Sequence, residues 1–231
     1  MQSRGWKLRF PVLFLLFVLV LVLRWFGPAG DPAPGANQSG EVTESAARDV
    51  RIYLPPLTNL TFFYQGEGNE YASFTRTITH ASPEALQMED ASGTNLAQVV
   101  ELMPEQLRMV WSEEEFYEAV SLLPEETRQT REFGRALDLI LLAAPIVEGQ
   151  SWTDANYQRE IIATDETVTV PLGTFYEVVV VKSRSLEAED FLTYEYYAKN
   201  VGLIKRVSVS EGEEAYAIVS SLAHLTTPGD L

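Results

Sequence analysis

Between Val50 and Leu225 the chain is a series of short runs with period-two alternation of apolar and polar residues, joined by connections of only a few residues. The C-terminal third shows it best. Arg159–Val170, Thr174–Ser183, Phe191–Lys199, Leu203–Val209 and Glu213–Leu225 read as strands, separated by Pro171-Leu-Gly173, Glu187-Ala-Glu-Asp190, Asn200-Val-Gly202 and Ser210-Glu-Gly212. A connection this short cannot carry the chain back to start a parallel neighbour, so each consecutive pair must be antiparallel. Val178-Val-Val-Val181 is apolar on both faces and predicts a strand covered on both sides. Upstream, Leu60–Gln65 and Tyr71–His80 flank Gly66-Glu-Gly-Asn69 as a hairpin, and Glu84–Asp90, Leu96–Met103, Gln106–Trp111 and Leu137–Ala143 continue the meander. On Tyr71–His80, the residues Phe74, Arg76, Ile78 and His80 share one face, opposite a hydroxyl face of Ser73, Thr75, Thr77 and Thr79. The expected fold is mainly β, a curved antiparallel meander of nine or ten strands forming a half-barrel.

One excursion interrupts it. Ser112-Glu-Glu-Glu115 has the form of a capping box, and Phe116, Ala119, Val120 and Leu123 before Pro124 are spaced for a short helix, after which charged Glu125–Gly134 loops back.

Pro55-Pro-Leu-Thr-Asn-Leu-Thr-Phe62 aligns with Pro145-Ile-Val-Glu-Gly-Gln-Ser-Trp152. In each, a Pro-led extended segment enters a turn in which Asn59 or Gly149 can take positive φ, and an aromatic residue then starts a strand. The two copies predict two similar sheet halves.

The N-terminus carries a different signal. Phe10–Leu23 is uninterrupted apolar sequence after Arg4, Lys7 and Arg9. By length the run itself reaches only about 21 Å, close to a signal-peptide core, whereas Trp6 to Phe26, with interfacial tryptophans and snorkelling arginines, spans roughly 31 Å. An N-terminal transmembrane signal-anchor over residues 1–26 is the leading reading, and a signal cleaved near Gly27-Pro28-Ala29 the other. Both put the N-terminus inside and the body outside a bacterial cytoplasmic membrane, with secretion following from cleavage. Residues 27–49, rich in Pro, Gly, Ala and Ser, predict a disordered linker, 50–225 the β domain and 226–231 a disordered tail.

Four of the 17 Lys and Arg lie in residues 1–26, which hold no acid, so the exported part has 13 cations against 33 Asp and Glu, a formal charge of −20. Nucleic acid is thereby disfavoured as a partner, since phosphate contacts need a basic surface. The absence of cysteine removes disulfides, thiolate catalysis and a lipidated N-terminal cysteine.

Pro145 to Asp154, Val168-Thr-Val-Pro-Leu-Gly-Thr-Phe175 and Tyr196-Tyr-Ala-Lys-Asn-Val-Gly-Leu-Ile-Lys-Arg206 together resemble a group of uncharacterised bacterial extracytoplasmic β proteins. Those carry a Pro-Leu-x-x-Gly-x-x-Trp entry, a Val-Pro-Ala-Gly-Thr-Phe turn and a Tyr-Tyr-x-x-Gly-Val-Gly-Leu-x-Lys hairpin. The resemblance covers most of Leu54–Leu225 and implies a half-barrel similar in outline to LolA/LolB-type lipoprotein carriers, with no activity attached. The chain departs from the pattern at Leu172, Asn200 and Phe62, all at turns or plugs.

Catalytic chemistry is thinly represented. His80 and His224 are far apart in sequence, no metal-ligand spacing occurs, and no nucleophile elbow, phosphate loop or dinucleotide fingerprint is present. No cofactor and no metal is implied. Acid clusters at Glu113–Glu115, Glu125-Glu126, Glu187 to Asp190 and Glu211 to Glu214 could serve glycan hydrolysis only if paired in a cleft, and they fall in predicted turns and loops. Asp154, Asn156, Gln158 and Glu160 alternate oxygen-bearing side chains but lack the calcium-loop turn, so a solvated strand face is expected. The aromatic residues Phe62, Tyr64, Trp111, Trp152, Tyr194 and Tyr196 are the candidate ligand-binding set on the concave face; Tyr71 and Tyr197 belong to the same wider group, and the competing reading is that they are core. The expected function is a non-enzymatic binding module tethered to the cytoplasmic membrane through residues 6–26, taking an apolar ligand or an envelope protein. An envelope assembly subunit and a carboxylate-dependent glycan hydrolase are the alternatives.

Overall fold

The computed structural model describes residues 49–187, 191–210 and 216–227. The anchor, nearly all of the linker and the last four residues lie outside this range, and no helix among the described residues is long and apolar enough to cross a membrane. A single turn of 3-10 helix, Val50–Tyr53, is followed by β1 (Thr61–Glu67), β2 (Phe74–Ala81), β3 (Ala85–Ala91), β4 (Asn95–Leu102) and β5 (Gln106–Glu114). After helix α1 (Glu125–Gln129) come β6 (Gly134–Ala143), β7 (Ser151–Thr153), β8 (Tyr157–Val170), β9 (Gly173–Ser185), β10 (Phe191–Ala198), β11 (Gly202–Ser210) and β12 (Ala217–Thr226). All twelve strands form one sheet in the order β6-β5-β4-β3-β2-β1-β12-β11-β10-β9-β8-β7, and every neighbouring pair is antiparallel. The meander is as expected; each of the eleven runs named from the sequence holds a strand, already more than the coarse total of nine or ten, and the twelfth, β7, has only three residues, too few to display an alternation.

The half-barrel expectation needs correction, because the sheet curls until its two edges meet in a nearly closed barrel. The edges are joined by side chains. Ile140 on β6 donates its N–H to Asp154 Oδ2 (3.1 Å), and its carbonyl accepts from Trp152 Nε1 (2.8 Å) and from the Arg159 guanidinium. Arg159 also pairs with Asp154 at 3.2 Å and donates to Ser183 Oγ at 3.1 Å. A ladder of backbone bonds is thus replaced by three side chains that satisfy both polar groups of one edge residue.

The two halves follow the repeat. Each Pro-led entry starts a run of six strands, β1–β6 and β7–β12; the first strand of one half lies beside the last strand of the other at both junctions, β1 with β12 by a ladder and β7 with β6 by the seam. Asn59 (φ 61°) and Gly149 (φ 86°) both hold the left-handed conformation expected of them.

β-bulges revise two facing predictions. The register of β2 on β3 shifts between Ile78 and His80, so Phe74, Arg76 and Ile78 keep the interior face while His80 comes opposite Gln87, on the outside. The shift between Val99 and Val100, with Val110 as the extra residue on β5, likewise turns Trp111 outward.

The outward turn of Trp111 explains the excursion. Phe116 and Leu122 pack with Ala97, Val99 and Trp111 in a second core on the outer face, separate from the main interior core. The expected helix over 116–123 does not form. Glu115 takes φ 55°, and the chain runs on without regular secondary structure to place Phe116 and Leu122, six residues apart, on the sheet. Buried Gln87 accepts from Leu122 N–H at 2.7 Å, and buried Glu113 accepts a forked pair of bonds from Arg131, whose guanidinium also lies 5.4 Å from the Phe116 ring. The helix appears instead after Pro124, with Glu125 and Glu126 in its first turn where the helix dipole favours acids.

Because consecutive strands alternate in direction, the β4–β5 and β10–β11 turns lie at the same end. The 3-10 helix plugs that end, with Val50 N–H donating to the Pro104 carbonyl (2.9 Å) and Asn200 N–H to the Ile52 carbonyl (2.7 Å). Val50, Tyr53 and Leu54 are buried there against the main core. The β8–β9 hairpin bends through several register shifts and its tip reaches β12, Leu172 N–H donating to the Leu222 carbonyl. Val178–Val181 are all buried, as their two-faced apolarity predicts.

Candidate ligand site in the barrel interior

Among the described residues the interior is filled at one end and hollow at the other. Towards the plug, Leu86, Val100, Leu107, Ile161 and Leu222 pack with no exposure. Towards the opposite end, two adjoining lobes of ≈ 310 and ≈ 430 Å³ open beneath the loops that carry Tyr71 and Thr94. Each is of the size small-molecule sites occupy. Six side chains line both lobes: Tyr71, Gln98, Met109, Leu141, Glu195 and Arg206.

The alternation that builds this wall is regular. On β10, Thr193 and Glu195 face inward and Tyr194 and Tyr196 outward; on β11, Arg206 and Ser208 face inward, with Glu195 and Arg206 as direct cross-strand partners. On β2 and β3, Arg76 and Asp90 are cross-strand partners and form a bidentate pair at 2.7 Å for both bonds. Burial works against the charge on Arg76, but Asp90 outweighs it and raises the guanidinium above its ordinary range. Phe74 stacks on Tyr64 with centroids 4.3 Å apart and is approached by two cations, Arg206 at 5.3 Å and Arg76 at 5.7 Å from its ring. Arg159 completes the charged set in the second lobe.

The six aromatic candidates divide. Phe62 and Tyr64 are on the interior face but belong to its packed part, and Tyr64 donates to the Leu203 carbonyl at 2.7 Å. Trp152 is the seam residue. Trp111 is corrected to the outer core, where its indole lies across Gly134, and Tyr194 and Tyr196 are corrected to the outer face, where Lys205 sits 5.6 Å from the Tyr196 ring. The concave-face placement thus fails for three of the six, through one bulge and through the phase of β10. The cavity is lined instead by Phe74, Tyr71 and Tyr157, by Tyr197, and by charged residues whose positions within alternating strands gave no separate signal. Asp154, expected on a solvated strand face, is buried: its Oδ1 accepts from the N–H groups of Asn156 and Tyr157 while Oδ2 serves the seam.

Among the described residues no cluster of His, Asp and Glu could hold a metal ion. Glu113 is taken up by Arg131, and Glu115 accepts from Thr94 and Tyr117; those two hydrogen bonds hold its carboxyl below the usual range. Residues 188–190 and 211–215, with most of two acid clusters, fall outside the described residues.

No family model matches the chain. No curated protein matches it either. Two crystal structures align along it: a candidate exported protein with a YmcC-like fold from Bacteroides fragilis and a candidate lipoprotein from Parabacteroides distasonis. The first is 14% identical, covers 75% of this chain and 98% of its own, and has a TM-score of 0.44; the second is 12% identical with the same coverage and a TM-score of 0.37.

The interior tyrosines make the domain sensitive to alkali. Burial pushes the Tyr64 and Tyr53 hydroxyls up to about 12, and that of Tyr197 well above its ordinary value. A raised folded-state value means these groups cost nothing below about pH 10, where both states are protonated, and withdraw stability as pH rises from there towards 12. Tyrosinate absorbance during a pH titration should therefore show a late group appearing together with loss of far-ultraviolet β signal; early, reversible ionisation of all tyrosines would contradict this.

Proposed function

We propose that this protein is a non-enzymatic binding module, held outside the bacterial cytoplasmic membrane by residues 6–26 and the linker, whose barrel receives a small ligand at its unplugged end. The observation that carries the reading is the division of the interior among the described residues: one half packed to exclusion of solvent, the other left hollow with a wall shared between charged or polar and apolar side chains. A barrel needing only stability has no use for Arg76, Asp90, Glu195 and Arg206 in its interior, since buried ion pairs are often no better than apolar packing. The apolar run, its cationic start and the acidic, cysteine-free body support the location.

Full-length protein in detergent should take up a neutral apolar fluorophore such as N-phenylnaphthylamine saturably. Leu141→Trp, which fills the wall common to both lobes, should weaken uptake by about tenfold or more while leaving Tm within a few degrees. No uptake by wild type, together with no ligand retained in native mass spectrometry, rejects the reading. The assembly-subunit alternative draws on exposed aromatics around the same end, Tyr71, Phe133, Phe191 and Tyr216, of which Phe133 is 76% exposed. Stoichiometric crosslinking to one envelope protein in intact cells would favour it.

A further inference from the structure

The wall common to the two lobes carries, besides the exposed Tyr71, three polar side chains, and all three are under-used. Arg206 makes no hydrogen bond or ion pair among the described residues; its contact is with the face of Phe74. Glu195, its cross-strand partner, accepts only from the Tyr197 hydroxyl, at 3.2 Å, and forms no ion pair with Arg206. Gln98 turns its Nε2 to the Met109 sulfur at 3.5 Å, a weak acceptor, and leaves Oε1 buried with no partner. Among the described residues the other arginines of the same interior are matched, Arg76 by Asp90 and Arg159 by Asp154 and Ser183. Buried polar groups are normally satisfied, so the orphaned Gln98 Oε1, beside the half-buried guanidinium of Arg206 and the half-buried, nearly free carboxylate of Glu195, marks a set of bonds open to a ligand.

What that ligand must offer follows from the donors and acceptors. Arg206 presents a forked set of N–H groups that suits a carboxylate or phosphate. Glu195 and Gln98 Oε1 are acceptors and need N–H or O–H donors, and Glu195 would repel a bare anion seated on Arg206 unless a positive charge accompanied it. Met109 and Leu141 offer an apolar surface beside them, methionine being able to adapt to its shape. We infer that the cavity binds a zwitterion with an apolar body, its oxyanion on Arg206 and its primary ammonium on Glu195 and Gln98. An α-amino acid with an aliphatic side chain and a phosphoethanolamine headgroup share this chemistry. The inference rests on the binding reading above and specifies its ligand.

The test pairs each source with a partner that keeps the anion and lacks the ammonium: leucine with N-acetylleucine, and lysophosphatidylethanolamine with lysophosphatidylglycerol below their micellar concentrations. Binding to full-length protein is measured by calorimetry and by displacement of the fluorophore. The ammonium-bearing member of one pair should bind at least about tenfold more tightly, and which pair shows it identifies the source. Glu195→Gln should abolish that preference while leaving the ammonium-free partner bound as before or better, and Arg206→Gln should weaken both members by about tenfold. Because Glu195→Gln keeps an acceptor oxygen for the Tyr197 hydroxyl and Arg206 gives up only its ring contact with Phe74, both variants should melt close to wild type, which separates loss of binding from loss of fold. Saturable fluorophore uptake with no preference in either pair, or a preference unmoved by Glu195→Gln, overturns the zwitterion and leaves the binding module standing. Absence of all uptake and all binding rejects both.

Discussion

Asp154→Ala should cost roughly 3–5 kcal/mol of stability and lower Tm by about 10 °C or more, the largest effect expected of any polar substitution in the domain. The side chain is 1% exposed and holds three elements at once. One oxygen closes the β7–β8 turn through two backbone N–H groups, and the other takes the Ile140 N–H across the seam and neutralises Arg159, itself 6% exposed. Truncation leaves a buried guanidinium without its anion and strands three N–H donors. Arg159 is further committed to the Ile140 carbonyl and to Ser183, so it cannot swing to solvent without opening the seam on both sides. Asp154→Asn keeps an acceptor oxygen but not the charge and should fall between. Thermal melts with hydrogen exchange at Ile140 would check the mechanism: protection there should collapse in the Ala variant before the rest of the sheet. A loss below about 1 kcal/mol would mean that the edges are held by curvature alone and the seam is incidental.

The seam also marks where sequence reading stops. Short connections and alternation made the antiparallel meander legible, and the two Pro-led entries made its two halves legible, down to the positive φ at Asn59 and Gly149. They do so because turn chemistry and period two are local properties. Closure is not local. Whether β6 and β7 meet depends on the summed twist and bulging of twelve strands, and on Trp152, Asp154 and Arg159 arriving at one residue from a three-residue strand, the turn after it and the start of β8. Bulges are the other hidden variable, since one extra residue reverses every facing beyond it. Val110 does this to Trp111, which left the concave set and became the floor for Phe116 and Leu122. The same reversal explains the misplaced helix: residues 116–123 have the composition of an amphipathic turn, yet tertiary contact with a newly exposed apolar patch overrides that weak local preference. For the cavity, Arg206 and Glu195 looked like ordinary alternating polar positions, and only the closed sheet converts that face from solvent to interior.

Glycine positions separate two kinds of backbone constraint, and the more damaging one lies at the ligand end. In Gly66→Ala, the new Cβ would stand 2.2 Å from both the Ala72 carbonyl carbon and the Ser73 nitrogen, which are main-chain atoms and cannot rotate aside. The β1–β2 hairpin would have to part, and with it the Gly66 N–H bond to Ser73 Oγ (2.9 Å) and the Ala72 carbonyl's bond from Ser220 Oγ (2.7 Å). A cost of roughly 3 kcal/mol is expected, at the upper end for overpacking. Gly149→Ala meets nothing within 4 Å and is opposed only by φ +86°, so about 1–2 kcal/mol is expected there. Asn at that position should be nearly neutral, because Asn59 already occupies the corresponding turn of the first half at φ 61°. Urea melts of the three variants give the ranking directly, and equal losses for Gly66→Ala and Gly149→Ala would show that the hairpin can yield at Ala72. Since Tyr71 and Phe74 flank that contact and line the cavity, Gly66→Ala should also weaken fluorophore uptake in protein that is still folded. Gly149→Ala, at the plugged end, should leave uptake unchanged. The two losses would then report on opposite ends of the barrel, with function coupled to only one of them.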